Sequence, residues 1–85
     1  MARPPSSAAD LVFAQSLAAE IKSQRIERDW SQEQLAREAG VSTANVRRLE
    51  NGTSPATSFV TVGRLSRSLN ISMDTLFVSF PRDTR

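Results

Sequence analysis

Arginine is where chemistry could lie in this chain, because the residues that usually carry catalysis are missing. Its 85 residues include no cysteine and no histidine. That removes disulfides, thiolate and imidazole metal ligands, and every nucleophile–histidine pair. Nine acidic residues are present, but their spacing does not pair two carboxylates for acid–base work. No enzyme, metal or cofactor is therefore expected. Ten of the eleven basic residues are arginine, whose planar fork makes two-pronged contacts to phosphate and guanine that lysine cannot match. A coding bias toward GC-rich codons produces the same preference, and the formal net charge is only +2. Placement is more informative than total. Arg47 and Arg48 stand side by side, and with Thr43 and Ala44 they occupy positions i, i+1, i+4 and i+5. On a helix those positions form one strip, and this one contains no carboxylate. Such a strip suits base edges and phosphate oxygens.

The elements that must hold this strip can be read outward from it. Ser42 reads as the N-cap of its helix, with Val41 and Val46 placed to staple the cap, and Asn51-Gly52 as the stop. The helix before it starts at the cap Ser31. Gln34 completes a capping box, Trp30 and Leu35 form a staple, and Gly40 supplies a left-handed stop after Ala39. Ala36 is small enough to let the two short helices touch, while Leu35, Val41, Val46 and Leu49 point inward and set their angle. A longer first helix is expected from the Ser7–Asp10 region to Arg28-Asp29, burying Phe13, Leu17 and Ile21 with Ala14 and Ala18. Thr53–Thr57 reads as a loop. Ser58 caps a fourth helix with apolar positions Phe59, Val62, Leu65 and Leu69, in which Gly63 is unfavourable. Ser72 caps a short fifth helix, with Ile71 and Leu76 as its staple. The tail from Phe77 to Pro81 alternates apolar and polar residues and reads equally as a short strand or as more helix.

The segment SQEQLAREAGVSTANVRRLENG, within residues 17–77, resembles the lambda-repressor and Cro-like, or XRE-type, helix-turn-helix family. The resemblance implies an all-α domain of five helices with the helix-turn-helix at 32–51. It implies that Gln32 contacts a phosphate and braces the reading helix. Thr43 and Ala44, just after the cap Ser42, would meet base edges first, and Arg48 would be the third reader. Asn45 and Arg47 would bond the backbone or a flanking base, and Asn51 would anchor a phosphate. Arg25 and Glu50 match a family pair that forms a structural salt bridge. The chain departs from the pattern in a loop one residue longer before the fourth helix, in Gly63 where a large aliphatic is common, and in a stretch preceding the first helix.

Length and composition agree with one domain: 39% of residues are hydrophobic and none of the apolar runs is long enough for a membrane span. The expected organisation is an arm at 1–8, a domain at 9–78 and a tail at 79–85. The N-terminus lacks the apolar stretch of a signal peptide, so a cytoplasmic location is expected. One helix-turn-helix reads few base pairs, so a homodimer on a palindrome is expected, assembled through Leu76, Phe77, Val78 and Phe80. The function expected is a sequence-specific transcriptional regulator of duplex DNA, acting as a repressor. An antitoxin that binds a cognate toxin and its own operator is the alternative.

Overall fold

The computed structural model of the chain describes residues 8–52 and 58–77. It runs α1 (Ala8–Glu27), α2 (Gln32–Ala39), α3 (Thr43–Glu50), α4 (Phe59–Leu69) and α5 (Met73–Phe77). The fold is all-α, with five helices and no strand among the described residues. The strand-or-helix question for the tail beyond Phe77 lies outside the described residues, as do Val78 and Phe80.

The starts of α2 through α5 obey one local rule. Ser31, Ser42, Ser58 and Ser72 each accept the backbone N–H three residues on, at 3.0, 3.0, 3.0 and 3.2 Å. Each bond satisfies an amide that the helix itself leaves free. The capping box expected at α2 is only half made. The Gln34 side chain turns forward, donating to Glu38 and accepting from Arg37, and so does not return to the cap. Side-chain partners one turn along the helix compete with the return bond.

The ends of α1, α2 and α4 also share a rule. Asp29, Gly40 and Asn70 all adopt left-handed backbone, at φ of 60°, 72° and 57°. After each one the chain closes with paired reverse bonds: Trp30 N–H to Arg25 O, Val41 N–H to Ala36 O, and Ile71 N–H to Ser66 O. These are Schellman closures, in which the residue after the left-handed one satisfies an otherwise orphaned carbonyl. Asp and Asn are the side chains that tolerate this conformation best after glycine.

Closure throws Trp30, Val41 and Ile71 back onto the core, where all three are partly buried. The core itself is built from Leu17, Ile21, Leu35, Val46, Leu49, Val62, Leu65, Leu69 and Leu76. On α1 the buried face is Ala14, Leu17, Ala18 and Ile21, and Phe13 sits half-buried at its edge. Two sequence expectations fail here. Phe59 does not join the core: it is 74% exposed. As the first residue of α4 its side chain leans toward the helix N-terminus, beyond the layer that Val62 begins. Leu76, expected both to staple the start of α5 with Ile71 and to line a dimer surface, is 2% exposed within the core of a single chain with Ile71 packed against that core, which fits the first expectation and not the second. Its position four residues after the Ser72 cap points it at α1, so it has no surface left to offer a second copy.

Candidate nucleic-acid interface

The strip on α3 depends on how α2 and α3 are fixed to each other. Leu35, Val46 and Leu49 are buried between them, and Ala36 and Ala39 allow close approach. At the turn, Gly40 carries the left-handed conformation, and the Arg64 guanidinium from α4 donates to its carbonyl at 3.4 Å. Once the inward residues are taken by the core, helical periodicity leaves the other side of α3 outside. Ala44, Arg47 and Arg48 are exposed, and Thr43 and Asn45 are half-exposed.

Within this strip Arg48 Nη1 donates to Asn45 Oδ1 at 3.0 Å, one turn back. That bond holds the guanidinium along the helix without burying it. Arg47 has no side-chain partner among the described residues. Ser42 uses its hydroxyl in the cap. Asn51 ends α3 with its N–H on Arg47 O at 3.1 Å and its side chain exposed, followed by Gly52 at φ 68°.

A second cluster locks the far end of α3. Arg25 Nε and Nη2 bind both oxygens of Glu50, at 2.8 and 3.0 Å, while Arg25 Nη1 donates to Trp30 O at 2.7 Å. Their side chains are 12% and 3% exposed. The fork geometry satisfies the carboxylate in two directions, which makes the pair directional as well as attractive. Gln32 Nε2 adds a third bond, to Glu50 Oε1 at 3.0 Å. The Arg25–Glu50 pair therefore ties α1, the turn at Trp30, the first residue of α2 and the last of α3. The acid nearest in sequence to Arg47 and Arg48 is neutralised inside this cluster, which leaves the charge of the strip facing outward.

Sequence reasoning paired Gln32 with a phosphate and did not foresee its bond to Glu50. The spacing of 18 residues between them carries no local signal. Arg28 was missed too. It donates to Gln24 O at 2.7 Å and also to Leu69 O, clamping the end of α1 to the end of α4. Two adjacent helix C-termini attract one cation through their carbonyls and dipoles, a meeting that exists only in the fold. The Phe77 side chain, Val78 and Phe80, expected at a dimer surface, fall outside the described side chains.

Among the described residues no group of acids could hold a metal ion, and no helix is long and apolar enough to cross a membrane. No curated protein matched the chain. A helix-turn-helix family model matches residues 21–76, more than half of the chain. The match begins at the first fully buried residue of α1 and ends at Leu76, so it spans the core, both short helices and the locked turn between them. With its outward basic strip on the second of two capped, glycine-hinged helices, the chain belongs to the lambda-repressor-like, XRE-type helix-turn-helix family of DNA-binding transcriptional regulators.

Proposed function

We propose that this regulator is a repressor that binds a palindromic operator as a homodimer, one α3 in each of two successive major grooves. The observation that carries the reading is the carboxylate-free strip of Thr43, Ala44, Arg47 and Arg48, held outward by a core on one side and the Arg25–Glu50–Gln32 cluster at one end. Arg48 is the main base reader, its fork matched to guanine O6 and N7. Thr43 and Ala44 meet the edge of the groove, Ser42, Asn45 and Arg47 contact the backbone or flanking bases, and Gln32 and Asn51 grip phosphates. Twofold symmetry in the protein requires twofold symmetry in the site, with half-sites about 34 Å apart. Occupation of a promoter by such a dimer is enough to exclude polymerase, so repression needs no further activity.

Selection of the full chain against a random duplex pool, followed by sequencing, tests the reading. An inverted repeat with half-site centres about one helical turn apart is expected. A single unrepeated half-site sinks the dimeric readout, and failure to retain duplex DNA even at low ionic strength sinks the assignment of the strip. Repression is checked separately, by placing the selected site over a reporter promoter: expression should fall when the protein is present.

A further inference from the structure

The outer face of α4 carries apolar side chains that the core does not use. Phe59 and Val60 are 74% and 60% exposed. Val60 opens onto a cleft of about 380 Å³ between the end of α2 and α4, rimmed by Glu38, Arg64 and Arg67 with Gly63 at its middle. Gly63 has no reason to be glycine within one chain. Its φ is not positive, and a methyl group built there would meet nothing within 4 Å. Glycine is a poor helix residue, but a bare backbone allows another helix to approach closely. Phe59 lies four residues before Gly63 and Arg67 four residues after it.

We propose that α4 crosses α4 of a second copy of this chain, antiparallel and centred on Gly63, to form the homodimer interface. A twofold axis at that crossing places Phe59 of each copy under Arg67 of the other, with the guanidinium on the ring face. Val60 packs on the aliphatic stem of the same arginine. Arg67 has no side-chain partner among the described residues, so it is free to take that place. The charges are self-complementary as a symmetric interface demands. Each cleft carries an acid on α2 and bases on α4, so Glu38 of one copy meets Arg64 of the other. Among the described residues Glu38 is engaged only by the neutral Gln34, at 3.0 Å. A helix of 11 residues is about 16 Å long, so the contact belongs to the small class, below ~1,200 Å² in total. Assembly in the micromolar range is expected, strengthened when both half-sites of an operator are occupied.

The inference rests on the homodimer reading above, and two measurements on the full chain separate the two. Sedimentation across micromolar concentrations should show a reversible monomer–dimer equilibrium. Val60→Asp should raise the dimer dissociation constant about tenfold or more, with unchanged helical circular dichroism because Val60 is outside the core. In the second measurement, Gly63→Cys introduces the sole thiol of the chain beside the axis. It should form an interchain disulfide readily under mild oxidation, whereas Ser23→Cys on the exposed face of α1 should not. A dimer that persists unchanged in Val60→Asp, or equal cross-linking of the two cysteine variants, removes α4 from the interface and leaves the homodimer standing. A wild-type chain that stays monomeric both free and on its selected site removes both.

Discussion

Arg48 and Glu50 sit two residues apart and do opposite work. Arg48 is exposed and, among the described residues, tethered only to Asn45, so replacing it should leave the fold alone. Arg48→Ala is expected to relax base preference at one position per half-site, by ~1–3 kcal/mol of discrimination, with other positions unchanged. Binding titrations against a panel of single-base variants check this; a uniform loss across all sequences would instead make Arg48 a phosphate contact. Glu50 is buried against Arg25 and Gln32. Glu50→Ala leaves the Arg25 guanidinium without its counter-charge and is expected to lower stability by ~3–5 kcal/mol, measured by urea unfolding. Gln32 stands between the two cases. One N–H of its amide donates to Glu50, which leaves the second for the phosphate proposed above, so Gln32→Ala should weaken binding to every duplex alike and leave preference intact.

The helices depend on their ends. α2 and α3 have eight residues each, too few to persist alone in water, so caps, staples and the core must hold them. Ser31→Ala should cost about 1 kcal/mol through loss of its bond to the Gln34 amide. The three glycines separate by what surrounds them. At Gly40 a new Cβ would meet the tip of Arg64 at 3.2 Å, a flexible group that can move, so Gly40→Ala pays mainly the left-handed penalty of ~1–2 kcal/mol. At Gly52 the Cβ would meet the Gln15 Cα at 3.3 Å and the Ala18 Cβ at 3.4 Å. Backbone cannot step aside in the same way, so Gly52→Ala should destabilise more than Gly40→Ala. Gly63→Ala should do the reverse, stabilising dilute monomer by up to ~1 kcal/mol through helix propensity and so raising its melting temperature. Thermal melts of the three variants side by side test the ranking, and a stabilised Gly52→Ala would contradict it.

At the scale of the molecule, a net charge of +2 gives little non-specific pull on DNA, and affinity must come from the local strip and the phosphate grips around it. The logarithm of the binding constant is expected to fall linearly with the logarithm of salt concentration, as condensed counterions are released. Arg47→Ala should flatten that slope by about one ion per half-site while leaving base preference nearly untouched. A slope indifferent to Arg47 would mean that its guanidinium faces solvent in the complex as well.

What was legible in the sequence is what local rules govern. The order and number of helices followed from four serine caps, from the Gly40 stop and from apolar spacing, because capping bonds and helical periodicity act over three or four residues. The family was legible in one 22-residue segment for the same reason, since the turn and its flanking helices are specified by neighbours in the chain. The forward turn of Gln34, the exposure of Phe59 and the burial of Leu76 were decided elsewhere. Spacing marks a residue as apolar and places it on a face, but whether another helix covers that face depends on packing between segments distant in sequence. The clamp of Arg28 on α1 and α4 and the bond of Gln32 to Glu50 belong with these. Each joins groups that come within reach only after the core has formed, and no periodicity within one helix records a partner on another.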